Sequence, residues 1–344
     1  MIKTGLIGLG LSGRVFHLPL LHASDQYQVT ALLSRQTELV AELAPQAQCV
    51  AGLEQLLDTD IDLVVITAPN QQHFPLAKAA LEAGKHVVLE KPYVTNVAEG
   101  KALIELAQQK NLVLSVFHNR RWDGDFLTVG ELLQQHQLGR LTHFESHFDR
   151  FRPQPRNRWR ESQEPGAGIL YDLGSHLIDQ ALVLFGQPNT VSATVLAQRV
   201  GAEGDDYFHL ILDYDHLQVI LHASTLTPLP GPRFCLHGDL GSYIKSGLDP
   251  QEDQLRDGQV PGAPGWGREP STHHGKLFDA AGQAQIIPTQ PGCYQSYYEA
   301  LAAAILAGGQ NPVPAEQALE TIRIIELALE SHRRGCRIAC KVQA

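Results

Sequence analysis

Five short apolar runs fill the first third of the chain, and none of them alternates between apolar and polar residues: "IKTGLIG", "YQVTALLS", "DLVVITA", "HVVLE" and "NLVLSVF". A strand with one face in water shows a polar residue at every second position, whereas a strand covered on both faces does not. Amphipathic stretches separate the runs. "QQHFPLAKAALEAGK" (71–85) ends on Gly84, and "NVAEGKALIELAQQKN" (96–111) opens on Asn96, a residue suited to a helix N-cap. Strand, helix and strand at this spacing predict a doubly wound parallel sheet of the α/β class.

The first run leads directly into Gly8-Leu9-Gly10-Leu11-Ser12-Gly13, ahead of "RVFHLPLLHAS". A GxGxxG alone is weak evidence, but between a strand and a helix it is specific. Gly8 permits the tight turn, Gly10 lets backbone amides approach a pyrophosphate, and Gly13 lets helix and strand pack closely. The helix N-terminus then faces the anion, flanked by Leu11 and Ser12. After the second run comes Ser34-Arg35-Gln36, with no acid before Glu38. An NAD site usually offers Asp or Glu there for the ribose hydroxyls, whereas a hydroxyl followed by a guanidinium suits a 2′-phosphate. The expected cofactor is therefore NADP rather than NAD. The alternative for Arg35 is a solvated side chain at a helix start.

"HVVLEKP" (86–92) ends a buried run on Glu90 and Lys91, and charge at the mouth of a sheet is costly unless it is used. A second chemical stretch is "GAGILYDLGSHLIDQALVLFG" (166–186). Helical spacing puts Asp172, His176, Asp179 and Val183 on one side and Leu173, Leu177, Ala181 and Leu184 on another. A narrow Asp-His-Asp stripe on an otherwise apolar helix is suited to proton transfer, the alternative being a satisfied core histidine between two carboxylates. Just before it, "FRPQPRNRWRESQEPG" (151–166) is rich in Arg and Pro, as either an exposed basic loop or one over a ligand.

Bulk properties exclude several classes. A length of 344 residues suits about two domains of roughly 150 residues. The net charge of -10 with no long basic block argues against nucleic acid or an anionic membrane as partner. No apolar run approaches the ~18 residues of a membrane span, and the N-terminus lacks a signal-peptide pattern. The five cysteines are scattered without CxxC, and the 16 histidines show neither HExxH nor clustered spacing. A reduced cytoplasmic setting and no metal are expected. Beyond residue 120, "LTHFESHFDRF", "TVSATVLAQRV", "YFHLILDY" and "LQVILHAST" read as strands, several with period two, as antiparallel pairing requires. "PGAPGWGREP" (261–270) reads as loop, and "AEQALETIRIIELALESHRRG" (315–335) as a helix stopped by Gly335.

With "TAPNQQH" (67–73) and "EKP" (90–92), the chain resembles the Gfo/Idh/MocA oxidoreductases, whose motifs include a TPNxxH-like loop and EKP; Ala68 is a departure. "HNRRWDGDF" (118–126) resembles a further family segment, with Trp122 where Phe is more usual. The resemblance implies an N-terminal Rossmann domain, 1–120, and a C-terminal α+β domain, 121–344, with a large open, mostly antiparallel sheet. The last helix, about 315–334, is free to return to the first domain. It implies a nicotinamide beside Pro69, Asn70 and His73, with Glu90, Lys91, Asn119, Trp159 and Arg160 also at the cofactor. Lys91 would reach the substrate beside the family's DxxxH pair, matched by Asp172 and His176, with Asp179 as a further substrate contact. "NRRWDGDF", "NRWRE", "YDLGSHLIDQAL" and "GLDPQED" are most similar to a subgroup that includes NADP-dependent scyllo-inositol dehydrogenases. The implied partner is a small polyol, cyclitol or sugar, and the implied assembly a homodimer or homotetramer. The alternatives are another sugar or keto-sugar reductase of the family, or a non-catalytic NADP-binding sensor.

Overall fold

In the computed structural model, which describes residues 1–340, the chain divides into two compact units. The first comprises Met1–Trp122, Pro250–Gly267 and Cys293–Leu319; the second comprises Asp123–Asp249, Arg268–Gly292 and the chain from Glu320. A single cut at residue 120 would leave both later segments in the second unit, but the chain returns twice. The reason lies in helix Gln295–Ala307, whose Tyr297, Tyr298 and Leu301 are fully buried within the first unit.

The first unit is built on six parallel strands: β1 (Ile2–Ile7), β2 (Tyr27–Leu33), β3 (Gln48–Val50), β4 (Leu63–Ile66), β5 (His86–Leu89) and β6 (Leu114–Val116). Their order is β3-β2-β1-β4-β5-β6. In such a sheet the crossover direction reverses between β1 and β4, leaving a crevice at their carboxyl ends for a dinucleotide. Val64, Val65, Ile66, Val87, Val88 and Leu89 are wholly buried, as runs without a polar face require. Each such side chain stabilises the fold by about 1.5–3 kcal/mol. Helix Val97–Lys110 is capped by Asn96, whose Oδ1 accepts from the Glu99 amide at 3.0 Å, and it ends on left-handed Asn111. β3, only three residues long, has too little apolar sequence to be read in advance.

The second unit carries a nine-stranded sheet. Its strands are β7 (Leu141–His147), β8 (Thr190–Leu196), β9 (Tyr207–Tyr214), β10 (Leu217–Ser224), β11 (Phe234–Gly238), β12 (Gly241–Lys245), β13 (Gly275–Asp279), β14 (Ala284–Ile287) and β15 (Ile338–Ala339). The order is β14-β13-β12-β11-β7-β10-β9-β8-β15, antiparallel except between β7 and β10. Phe144, Phe208, Leu210, Leu212, Val219, Leu221, Phe234 and Leu236 are buried on one face by period-two alternation. On β9 and β10 that core packs against the helical run Leu170–Phe185. Helix Ala315–Arg334 ends at Gly335, φ +62°. Its first turn lies in the first unit, where Gln317 Oε1 accepts from Arg121 at 2.7 Å. Among the described residues no helix is long and apolar enough to cross a membrane.

Candidate active site

The dinucleotide loop leaves β1 at Gly8, whose φ of +96° places it where side chains are strained. Thr67, at the end of β4, donates through Oγ1 to the carbonyls of Ile7 (3.0 Å) and Gly8 (2.9 Å), tying the two strand ends together. A Cβ on Gly13 would lie 2.4 Å from the Gly8 carbonyl oxygen, so only glycine lets the helix start this close to the strand. A Cβ on Gly10 would meet no protein atom within 4 Å. That open space lies at the start of a helical run, which passes through a wide turn, Gly13–His17, into Leu18–His22. The residues fit a dinucleotide: an amide-lined turn with free space at its middle glycine, and Leu11 exposed beside it.

Glu90 closes the loop from below. Its Oε1 accepts from the Ser12 hydroxyl and pairs with His17 Nε2 at 3.0 Å, while Oε2 accepts from the Lys91 amide at 2.9 Å. His17 Nδ1 in turn meets the Tyr298 hydroxyl at 2.6 Å, and Tyr27 donates to the Tyr298 carbonyl at 2.7 Å. Burial pushes the Glu90 carboxyl up. The His17 bond and charge, the Lys91 charge and the Ser12 hydroxyl outweigh it and bring the carboxyl down to about 2. Glu90 is therefore ionised at neutral pH and fixes both the glycine loop and the backbone that carries Lys91. The sequence alone does not single out His17, Tyr27, Thr67 or Tyr298. His17, four residues past Gly13, carries a signal only once a partner for Glu90 is sought.

His73 is fully buried, with Nδ1 2.9 Å from the Pro92 carbonyl and Nε2 3.0 Å from that of Ala68. A neutral imidazole donates from one nitrogen only, so one contact is a true bond at a time. Burial lowers its basicity, with the Pro92 carbonyl opposing. His73 thus fastens the Pro69 loop to the Lys91 loop, and it offers no exposed edge to a ligand. Pro69 is exposed and Asn70 buried at the turn Asn70–Gln72, and Lys91 is half-buried at the end of β5. Asn119, buried, opens the turn Asn119–Trp122 after β6. Ser34 and Arg35 follow β2, where Ser34 Oγ accepts from the Gln36 amide at 3.0 Å and Arg35 is exposed.

In the second unit, Asp172 lies in a wide helical turn, Leu170–Gly174, that runs on into helix Ser175–Phe185. His176 and Asp179 are buried, whereas Asp172 is partly open with Oδ1 3.9 Å from Arg160 Nε. Val183, the last member of the expected stripe, is exposed. Asp205 pins the start of this run: its Oδ2 accepts from the Leu170 amide at 2.8 Å, and a Cβ on Gly168 would collide with its carboxylate. Burial, opposed by the Leu170 amide, pushes the Asp205 carboxyl up to about 6. Arg233, buried, bonds Gln180 at 2.8 Å and stacks its guanidinium on Phe148 and Phe234.

The segment 151–166 is a fastened loop, built around Glu161. That carboxylate accepts from the Arg156 amide (2.9 Å), Arg158 Nε (2.8 Å) and Arg199 NH2 (3.0 Å). Arg199 also bonds Asp206 at 2.8 Å and the carbonyl oxygens of Arg152 and Gln154. Trp159 and Arg160, half-buried, stack with the guanidinium 5.0 Å from the ring. The loop thereby holds Arg160 beside Asp172. In the first unit the Gly/Pro-rich segment docks by Trp266, whose Nε1 donates to Gln295 Oε1 at 3.0 Å.

Comparison with known proteins agrees with this architecture. Residues 2–118 match the family described as the Gfo/Idh/MocA "Oxidoreductase family, NAD-binding Rossmann fold". Residues 130–340 match that of its "C-terminal alpha/beta domain". The chain is 45% identical over 336 residues to the scyllo-inositol 2-dehydrogenase (NADP(+)) IolW of Bacillus subtilis (strain 168), covering 96% of this chain and 94% of that one. It is 45% identical over 334 residues to the uncharacterized oxidoreductase YdgJ of Escherichia coli (strain K12), covering 96% of each. The solved structure of yvaA from Bacillus subtilis superposes with a TM-score of 0.96 at 44% identity, over 99% of this chain and 98% of that one.

Proposed function

Because this chain belongs to the Gfo/Idh/MocA oxidoreductase family, we propose that it moves hydride between NADP and a CH–OH carbon of a polyol or cyclitol, with scyllo-inositol the leading candidate. The observation that carries this reading is the similarity, across 96% of the chain, to a relative named as an NADP-dependent scyllo-inositol 2-dehydrogenase. The chain retains the three groups the chemistry needs, Lys91, Asp172 and His176. As a member of this family it is an oxidoreductase with a dinucleotide-binding domain. The choice of NADP over NAD rests on Ser34 and exposed Arg35, with no acid at the end of β2.

The nicotinamide accepts or donates the hydride when bound. The glycine loop from Gly8 to Gly13 would hold the pyrophosphate and Arg35 the 2′-phosphate. Pro69 and Asn70 would border the nicotinamide, with His73 and Glu90 keeping their loops in place. During oxidation the substrate hydroxyl gives its proton to the His176 imidazole, which returns it in the reverse direction. Lys91 Nζ stabilises the negative charge that grows on the substrate oxygen. Asp172 orients the imidazole or accepts from a neighbouring hydroxyl, and Asp179 accepts from another. An uncharged substrate rich in hydroxyl donors matches this carboxylate-rich set; each charge-assisted bond contributes about 1.5–3 kcal/mol. A homodimer or homotetramer in the cytoplasm goes with the reading, and light scattering measures the assembly.

The test is an initial-rate survey of NADP and NAD reduction against inositols, aldoses and sugar acids. Reduction of NADP by scyllo- or myo-inositol is the expected result. No reduction by any member, with keto-sugars reduced by NADPH, would replace the cyclitol with a keto-sugar. No turnover in either direction, with NADP still bound, would make the chain a sensor and overturn the reading.

A further inference from the structure

The face of the nine-stranded sheet opposite the buried one is rich in histidine. Alternation along β7 sends Phe144 and Ser146 into the core and His143, Glu145 and His147 to the other side. On β10 and β9 the same alternation places His222 and His209 on that side, and the register sets His147, His222 and His209 abreast. Cys235 and His237 on β11 stand opposite Glu145 and His143. His143, Glu145, His147 and Asp149 alternate along one stretch, but His222 and His209 join them only through strand register, and the expectation of no metal rested on linear spacing.

From this arrangement we infer a site for a zinc-class divalent ion, formed by His147, His222 and Asp149. One donor atom from each residue lies within 4.8 Å of the other two. Asp149 Oδ2 is 3.4 Å from His147 Nδ1, and its Oδ1 is 3.4 Å from His222 Nε2. Those separations exceed the ~2.9 Å of an N–H···O hydrogen bond. Each is close to the ~3.3 Å between neighbouring donors on one ion with bonds of 2.0–2.1 Å, a different carboxylate oxygen facing each imidazole. Two imidazoles and a carboxylate, with water as fourth ligand, are a donor set that zinc accepts.

The surroundings are those of a metal site. The Ser224 amide donates to Asp149 Oδ1 at 3.1 Å and fixes the carboxylate. Behind His147, Glu145 Oε2 stands 3.5 Å from Nε2, the nitrogen turned away from Asp149, longer than a hydrogen bond. The Tyr207 ring packs edge-on against His222 with centroids 5.1 Å apart, and His209 lies on its other flank at 5.6 Å. A dication also offsets the paired negative charge of Glu145 and Asp149. The site lies on the opposite face of the sheet from the helical run that carries Asp172 and His176, so it is structural and independent of hydride transfer.

The test uses the full chain without an affinity tag, stripped with chelator, and titrated with Co2+ followed optically and with Zn2+ against a chromophoric chelator. The expected result is one equivalent per chain with the visible bands of tetrahedral nitrogen and oxygen ligation. His222→Gln and Asp149→Asn, each confirmed as folded by circular dichroism, should weaken Zn2+ by roughly tenfold or more. Should a variant fail to fold, the Co2+ spectrum of the unaltered protein decides. Absence of a stoichiometric site, a thiolate charge-transfer band, or undiminished affinity in the folded variants would overturn the proposal.

Discussion

Replacing Glu90 by glutamine tests the network beneath the dinucleotide loop. The substitution keeps the shape of the side chain but leaves one acceptor oxygen where the Ser12 hydroxyl and the Lys91 amide use two, and it removes the charge that faces His17. The carboxyl is brought from 4.5 to about 2 in the folded chain. At 1.36 kcal/mol per pH unit, its ionised form contributes about 3 kcal/mol, a large part of the ~5–15 kcal/mol by which domains are stable. The sign follows from proton binding. A depressed carboxyl binds fewer protons folded than unfolded, so its contribution is complete above about pH 4.5 and is lost as pH falls toward 2. Urea unfolding, followed by fluorescence of the three tryptophans, measures this. Glu90→Gln should lower stability by about 3 kcal/mol or more at pH 7, and the gap between the two proteins should shrink by about 2 kcal/mol by about pH 3. A gap near zero at pH 7, or one that stays constant down to pH 3, would refute the reasoning.

Other perturbations separate the roles of neighbouring residues. Arg35→Ala should weaken NADP by roughly tenfold or more, the value of a charge-assisted bond to phosphate, and leave NAD nearly unchanged; fluorescence titration with the reduced cofactors reads both. Equal losses would remove Arg35 from the phosphate. Gly13→Ala forces a Cβ to 2.4 Å from the Gly8 carbonyl and should cost about 1–3 kcal/mol in thermal or urea unfolding. Gly10→Ala, whose Cβ meets no protein atom within 4 Å, should leave the fold intact and weaken the dinucleotide, and the reverse pattern would contradict the assignment of the loop. Lys91→Ala should lower kcat roughly a hundredfold or more while cofactor affinity stays within a few fold, and an unchanged kcat would end its proposed role.

The parallel sheet was legible because strands buried on both faces leave an unbroken apolar signature, as in Leu63-Val64-Val65-Ile66 and Val87-Val88-Leu89. The glycine loop was legible because each glycine answers a steric demand, from the φ of +96° at Gly8 to the Gly13 contact. Strands β11 to β14 were not, since hairpin partners such as "FCLHG" and "GSYIK" are short and mix polar with apolar residues. The return of Cys293–Leu319 to the first unit was hidden for another reason. Tyr297 and Tyr298 read as ordinary aromatic residues until Ser115 and His17 appear as their hydrogen-bond partners. The same holds for His147 and His222, which only sheet register brings abreast. Motifs that act through backbone or local spacing can thus be read from sequence; partnerships across the fold cannot.

The central claim is hydride transfer from a polyol carbon, and isotope transfer measures it most directly. scyllo-Inositol deuterated at its ring carbons would be incubated with the protein and NADP, and the NADPH formed analysed by mass spectrometry and proton NMR. The account predicts one deuteron per NADPH, at C4 of the nicotinamide, with formation lost in Lys91→Ala. NADPH formed without the label, or no reduction with any deuterated cyclitol or sugar, would contradict it.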